Sequence, residues 1–183
     1  MCCLSCIRPK TIPLPASGPF FQSLSIKFNY SDGQGRQNGR IHWRFDDQSS
    51  KMLFFTPLNQ VGLELNVNGE ASLLVRPGKK LYWRGDFSEL LRRLWGIDLT
   101  LQELKDLLQK GQVPEEKARD QGIEMSVRAN PRTQAVQSVH IRQDGVTLDL
   151  KVLKSETRPG NIVLLDYDRR FESAELEDVL ADD

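Results

Sequence analysis

Apolar and polar residues alternate with a period of two along most of this chain. That period is typical of β-strands with one buried face. Turn signals such as Asn68-Gly69 and Asp144-Gly145 separate the alternating segments, and these dipeptides favour the tight turns of antiparallel hairpins. The pattern therefore predicts a meander of antiparallel strands. The predicted strands cover residues 24–28, 41–45, 52–55, 62–67, 71–75, 80–84, 123–127, 139–141, 146–152 and 162–165.

In the middle of the chain the hydrophobic period changes to that of an α-helix. Residues 86–89 (Asp-Phe-Ser-Glu) and 100–103 (Thr-Leu-Gln-Glu) match the capping box of a helix N-terminus. Gly96 and Gly111 follow at the distance expected of helix stop signals. We therefore expect two short leucine-rich helices within an otherwise antiparallel β pattern.

One predicted turn carries a leucine at its tip. The apolar residues 52–55 lead into residues 56–59 (Thr-Pro-Leu-Asn), after which an alternating strand resumes. Turn tips are normally polar and solvated, and no core requires an apolar side chain there. Leu58 is therefore either folded back onto its own hairpin or exposed for a purpose. Isolated exposed apolar residues are common, so periodicity alone favours the first interpretation.

Length and charge narrow the function classes. At 183 residues the chain is long enough for one domain with a full core. Its 25 basic and 25 acidic residues balance, so no overall field favours nucleic acid or anionic lipid. No run of about 18 apolar residues is present, which predicts that nothing here spans a bilayer. The first residues also lack the apolar region of a secretory signal.

All three cysteines, Cys2, Cys3 and Cys6, precede the predicted domain. An odd number of cysteines crowded at one terminus cannot cross-link a domain. Cys3 and Cys6 form a C-x-x-C pattern, but prolines follow instead of a helix, and no further ligands complete a zinc site. We therefore expect a terminal remnant or a lipidation site at Cys6 or Cys3, and we expect no metal and no cofactor.

The familiar motifs of catalysis are absent from the sequence. There is no G-x-S-x-G, H-E-x-x-H, P-loop or G-x-G-x-x-G. The neighbouring carboxylates Asp46 and Asp47 would point to opposite faces of a strand and make a poor acid/base pair. The chain is therefore predicted not to be an enzyme. A curled sheet covered by helices encloses either a packed core or an apolar cavity, and periodicity does not choose between them.

Several segments resemble one known family, that of the outer-membrane lipoprotein receptor LolB. Residues 56–59 and 63–66 (Leu-Glu-Leu-Asn) resemble the N-P-L-G and L-E-L-N run of that family. Trp43 resembles its tryptophan strand, residues 86–111 its two-helix segment, and residues 139–151 its last hairpin. Motifs that recur in the same order carry more weight than any one of them.

The resemblance covers residues 20–153 and implies a fold. We expect a mainly β (α+β) protein, an unclosed antiparallel β-barrel with a short two-helix lid over an apolar cavity. The domain organisation then comprises residues 1–19 as a Cys-containing segment and Pro-rich linker, 20–167 as the LolB-like half-barrel, and 168–183 as an acidic tail. We expect the tail to form at most a marginal helix that packs loosely.

The resemblance also implies a function in lipoprotein localisation. LolB-like proteins receive acylated lipoproteins from a LolA-like periplasmic carrier, shelter the acyl chains and insert them into the outer membrane. Leu58, with Pro57, falls where the family carries its protruding leucine. The implied location is the periplasmic face of the outer membrane, lipid-anchored if the N-terminal cysteine is processed. The expected partners are these lipoproteins, the carrier and the lipid surface, and we expect a monomer with no nucleic acid.

Ten apolar residues are expected to line the acyl-chain cavity on the inner face of the sheet and on the lid. They are Trp43, Phe45, Leu63, Leu65, Leu73, Trp83, Leu91, Leu94, Leu104 and Leu108.

The sequence departs from the family pattern at three places. Asn59 replaces the usual glycine, Leu107 stands where tryptophan is common, and the acidic tail has no counterpart. Two alternatives to the insertase stay open. One is a soluble lipid or lipoprotein carrier on the same fold, and the other is a structural or assembly module with a packed core. A hydrolase has no sequence support.

Overall fold

The computed structural model describes residues 19–69, 71–164 and 171–181. These residues form ten strands and four helices. The strands are β1 Phe20–Ser31, β2 Arg36–Phe45, β3 Ser49–Phe55, β4 Val61–Asn68, β5 Ala71–Arg76, β6 Leu81–Gly85, β7 Glu124–Ala129, β8 Val136–Gln143, β9 Val146–Pro159 and β10 Glu172–Ser173. The helices are α1 Phe87–Trp95, α2 Leu101–Lys110, α3 Glu115–Asp120 and α4 Leu176–Leu180.

The ten strands form one open sheet in the order β10-β6-β5-β4-β3-β2-β1-β9-β8-β7. Neighbouring strands are antiparallel except that β10 runs parallel to β6. The long pairing of β1 with β9 joins the first meander to the last hairpin. Because β10 and β7 are both edge strands, the sheet does not close, which confirms the predicted unclosed antiparallel architecture.

One face of this sheet forms the core. Directly opposed residues of antiparallel strands project on the same side, so a row of paired residues marks one face. The central row runs across six strands and all its members are buried. It consists of Leu24, Trp43, Met52, Leu65, Leu74 and Trp83. We call this side of the sheet the inner face.

The prediction that Leu73 belongs to the inner face is wrong. Leu74 pairs with Leu65 and is fully buried, whereas Leu73 pairs with Asn66 on the opposite side and is only half-buried. Residues 73–75 are all apolar, so alternation cannot fix which of them points inward. A shift of one residue moves a strand side chain to the other face.

Local capping signals fix the two predicted helices. Asp86 Oδ1 accepts hydrogen bonds from the backbone amides two and three residues further on, at 2.7 and 3.1 Å. Thr100 and Glu103 form the reciprocal capping box, with bonds of 3.1 and 2.7 Å. Gly96 and Gly111 end the helices with φ of 65° and 67°, the left-handed conformation that glycine adopts without a steric penalty.

The end of the chain differs from the expectation in two ways. Strand β9 continues to Pro159, and residues 161–164 form no strand, while Leu165 lies outside the described residues. The acidic tail does not pack loosely, since Leu176 and Val179 of α4 are buried in the common core. A short apolar stripe on one side of α4 is thus enough to dock a helix that has little stability by itself.

Candidate functional site

The residues predicted to line a cavity lie together between the sheet and the helices. Those buried are Trp43, Phe45, Leu65, Trp83, Leu91, Leu104 and Leu108. Leu63 and Leu94 are partly buried and pack against the same cluster. The helices α1 and α2 therefore lie closed on the inner face, with side chains filling the space between them. An acyl chain would have to displace these contacts, so the cavity itself stays a prediction.

Trp43 is the largest fully buried side chain of the cluster. Its indole Nε1 donates a hydrogen bond of 2.7 Å to Ser50 Oγ, and its ring centroid lies 4.6 Å from that of Phe45. A buried indole N–H needs a partner because leaving it unpaired costs free energy. The hydrogen bond to Ser50 and the ring contact with Phe45 together fix the orientation of the indole.

A lysine lies at one end of the packed interface between the lid helices and the sheet. Lys105 on α2 is buried, and its Nζ donates to the backbone oxygen of Asp46 at 2.9 Å. The same Nζ lies 5.4 Å from the ring centroid of Phe45, in a cation–π contact. Burial lowers the pKa of Lys105, although nearby carboxylates partly oppose this effect. The contact ties α2 to the sheet next to the β2–β3 turn.

A broad open groove borders the other end of the inner face. It encloses about 730 Å³ and is lined partly by Phe28, Phe54, Phe55 and Pro57. Leu180 of α4 contributes to its rim. We call this groove the mouth, because its strand residues Phe28 and Phe54 pack against the buried cluster. Its wall also includes charged residues such as Arg36 and Lys79, and it reaches the Leu58 turn through Thr56 and Pro57.

Trp95, which sequence reasoning did not select, lies behind the mouth. Its ring centroid is 5.8 Å from that of Phe28 and 6.1 Å from that of Phe54. Trp95 is the last residue of α1, so the contact joins the lid to the sheet at the entrance. The sequence signal that could have identified it is its position as an aromatic residue directly before the helix stop Gly96.

Leu58 projects from the turn between β3 and β4. Its side chain is 81% exposed, which excludes the alternative that it folds back onto the hairpin. The turn is held by backbone bonds from Asn59 to Thr56 and from Thr56 to Gln60, each 2.9 Å. Pro57 is exposed beside it. A compact, hydrogen-bonded turn therefore presents one aliphatic side chain to solvent, next to the mouth.

Asn59 explains how the turn tolerates a departure from the family's glycine. Its φ is 63°, in the left-handed region where glycine is favoured and asparagine is the usual substitute. The side-chain Oδ1 also accepts a hydrogen bond of 2.8 Å from Arg40 Nη2 on the neighbouring strand β2. The substitution preserves the turn geometry and adds a link to β2.

We expect Asn59→Val to destabilise the protein by about 1–2 kcal/mol more than Asn59→Gly does, because both variants lose the bond to Arg40 and only the β-branched residue is strained at positive φ. Asn59→Gly should fall within about 0.5–1.5 kcal/mol of the native stability, since it keeps the backbone geometry and loses only the bond to Arg40. Urea unfolding of both variants measures the difference. Equal stability of the two variants would show that the conformation at this position is not what holds the turn.

The described residues carry neither a membrane-spanning helix nor a metal-binding cluster. Within them, no helix is both long and apolar enough to cross a bilayer. They contain no group of three or more His, Cys, Asp or Glu side chains placed to hold a metal ion. The proposed lipidation sites Cys3 and Cys6 lie outside these residues, so lipidation stays a prediction.

The family model of the outer membrane lipoprotein LolB matches residues 22–172. This chain belongs to the LolB family. The match includes the Leu58 turn, the lid helices and the strand residues of the mouth, and it ends at the first residue of β10. Helix α4, with Leu180, lies beyond it. LolB membership supports a role in lipoprotein sorting and confirms the resemblance that the sequence motifs indicated.

Two solved structures are similar to this LolB-family chain. A LolA superfamily protein from Nitrosomonas europaea shares 9% identity with a TM-score of 0.49, over 83% of this chain and 89% of that one. A DUF1329 family protein from Desulfovibrio piger shares 10% identity with a TM-score of 0.44, over 76% and 86% of the respective chains. No curated protein matches this chain.

Proposed function

We propose that this LolB-family protein accepts acylated lipoproteins from a LolA-like periplasmic carrier and inserts them into the outer membrane. The observation that carries the proposal is the exposed Leu58, held on a rigid turn at the edge of the mouth. In this proposal the acyl chains enter at the mouth and lie between the inner face and the lid. The protein acts at the periplasmic face of the outer membrane, as a monomer, and is anchored there if Cys6 or Cys3 is acylated.

The buried cluster has the chemistry that acyl chains require. Each buried methylene gains about 0.8 kcal/mol and makes no directional demand, so aliphatic and aromatic walls suffice. The apolar residues of α1 and α2 supply one wall, and the inner face supplies the other. Because lid and sheet are packed together without a ligand, an incoming chain must exchange lid–sheet contacts for lid–lipid contacts. Such an exchange keeps binding reversible.

Transfer towards the membrane needs no chemical energy source. A lipoprotein moves from carrier to acceptor to bilayer if each successive site binds its acyl chains more tightly. Burying a leucine side chain in lipid gains about 1.5–3 kcal/mol, which is enough to bring the mouth to the bilayer and too little to hold it there permanently. Leu58 is therefore suited to a brief contact during delivery.

The closed packing of the core favours a second candidate, a structural or assembly module that binds no lipid. In that case the buried cluster is simply a core, and Leu58 contacts a protein. Binding of a fluorescent triacylated peptide by the purified protein distinguishes the two candidates, because only the first takes up the acyl chains.

The main experiment measures transfer of that peptide from the protein into liposomes, for wild type and Leu58→Glu. We expect both proteins to bind the peptide and the variant to deliver it at least about tenfold more slowly, because a carboxylate resists entering lipid. Equal delivery would identify a soluble lipid carrier instead of an insertase. Absence of binding by the wild type would overturn the acyl-chain proposal.

Val163→Glu provides a matched control. Val163 is an aliphatic residue with 68% exposure that lies outside the hairpin, so the change adds the same charge at another exposed apolar site. Delivery should remain at the wild-type rate. If Val163→Glu slowed delivery as much as Leu58→Glu, the effect would come from net charge and not from the turn.

A further inference from the structure

The outer face of the sheet is strongly cationic where β1, β2 and β9 lie side by side, although the whole chain is neutral. The register places seven basic side chains on this face, namely Lys27, Arg36, Arg40, Arg44, Lys151, Lys154 and Arg158. Within these three strands, which are described throughout, the only acidic residues are Asp149 and Glu156. Asp149 is paired with His140 at 2.7 Å, and Glu156 with Lys154 and Arg158. Both carboxylates are thus already engaged.

Three of these cations stand directly opposite one another. Lys27 pairs with Arg40 on one side and with Lys151 on the other, so Arg40, Lys27 and Lys151 form one row across three strands. Opposed side chains of antiparallel strands lie about 5 Å apart at Cβ, and like charges in this arrangement destabilise a sheet. We call these three residues the cationic row, and an anion bound across it would relieve their mutual repulsion.

The cationic row lies at the base of the Leu58 turn. Arg40 pairs on its other side with Phe55, the last residue of β3 before the turn. Arg40 also donates to Asn59, the residue that follows Leu58. Arg40 therefore connects the cationic row to the turn that carries Leu58.

A cleft of about 310 Å³ opens beside this row on the outer face. Its basic walls are Arg40, Lys154 and Arg158, with Glu156 as the one carboxylate and Asn59 at the end nearest the turn. His42 lies in the same cleft, with Nε2 2.9 Å from Ser23 Oγ. Burial lowers the pKa of His42, and the positive charges of Arg44 and Arg158 lower it further. The cleft therefore has a net positive potential without any contribution from the histidine.

We propose that the cationic row and its cleft bind the phosphate headgroups of anionic phospholipids, and that this contact orients the Leu58 turn towards the bilayer. Guanidinium and ammonium groups bind phosphate oxygens through charge-assisted hydrogen bonds. The turn lies between the mouth, which Thr56 and Pro57 line, and the cleft, which Asn59 lines. A bilayer that takes up Leu58 therefore meets the positive outer face at the same time. This proposal rests on the proposed insertase function and names the class of lipid that the protein meets at the membrane. Binding to vesicles can be measured separately from delivery of a lipoprotein.

The test is sedimentation with phosphatidylcholine vesicles, with and without about 30% phosphatidylglycerol, for wild type and the double variant Lys27→Gln with Lys151→Gln. Wild type should bind the anionic vesicles more tightly, and added salt should weaken that binding. The double variant should lose about tenfold or more of the anionic preference, because each basic group near such a surface contributes to attraction. Arg40 is left in place because it supports Asn59.

A folding defect cannot imitate this result. Removing two cations from a row of like charges should leave the urea midpoint unchanged or raise it, while vesicle binding falls. The control is Arg119→Gln with Arg132→Gln, which removes the same charge from exposed residues of α3 and of the β7–β8 turn and should keep the anionic preference.

Three outcomes would overturn the inference. They are equal binding of wild type to both vesicle types, equal loss in the control, and displacement of the protein from vesicles by inorganic phosphate at matched ionic strength. The first would show that the face does not select anionic lipid, and the third would assign it to a free anion. Leu58→Glu should keep its preference for anionic over neutral vesicles, so failure of the insertase proposal is distinguishable from failure of this one.

Discussion

Uptake of an acylated peptide is expected to stop when Gly96→Cys and Val146→Cys are joined by a disulfide, and to return on reduction. A Cβ atom built on Gly96 lies 3.9 Å from Cβ of Val146, within the range that a disulfide spans. Gly96 ends α1, and Val146 begins β9. The bond would hold the lid against the sheet at this point.

The expected loss follows from how completely the lid is packed. Leu90 of α1 and Leu107 of α2 are fully buried against a sheet face on which Leu74 is also fully buried. Close-packed protein interiors hold no space for an alkyl chain. Binding therefore requires the helices to move away from the sheet, and a covalent link prevents this movement.

The reduced protein is the natural control, since it has the same sequence as the locked one. Cys2, Cys3 and Cys6 would be replaced by serine so that only the new pair can oxidise. The single variant Gly96→Cys measures the cost of a side chain at φ of 65°, expected to be about 1–2 kcal/mol. Unchanged uptake by the oxidised protein would show that acyl chains bind without movement at this end of the lid.

Trp43→Ala is expected to lower the free energy of unfolding by about 3–5 kcal/mol, the range for truncating a large buried aromatic residue. Trp43 is 1% exposed, lies in the central row of the inner face and donates to Ser50. The truncation leaves a cavity and an unpaired hydroxyl on Ser50. Urea unfolding followed by circular dichroism measures the loss.

Trp43→Phe separates the two contributions to this loss. It keeps most of the ring volume and removes the hydrogen-bond donor, so it should cost clearly less than Trp43→Ala. A loss below about 1 kcal/mol for Trp43→Ala would mean that the side chain is not tightly packed. That result would also weaken the expectation that uptake needs the lid to move.

The sequence by itself determined the features that depend on neighbouring residues. The caps at Asp86 and Thr100 and the stops at Gly96 and Gly111 lie where the pattern predicts them. The turn that carries Leu58 formed as predicted between β3 and β4. A cap or a short turn is closed by bonds within about five residues, so its signal is complete in a short stretch of chain.

The resemblance supplied what local patterns could not, namely the unclosed sheet and the family. Alternation alone did not choose between a packed core and a cavity. The structure describes a closed, packed lid, and the family match supports lipoprotein sorting. Uptake of lipid therefore depends on a second arrangement in which the lid helices have moved away from the sheet. Neither the periodicity of the sequence nor the one packed structure describes that arrangement.

Only the tertiary structure decided the features that depend on register. It placed Leu74 instead of Leu73 on the inner face, and it joined β1 to β9 across more than a hundred residues. That pairing brings Lys151 beside Lys27 and Arg40, so the cationic row exists only in the folded sheet. Composition shows a neutral chain because it sums charges without their positions. A single shift of register would exchange the two faces of a strand, and long-range strand pairing fixes that register.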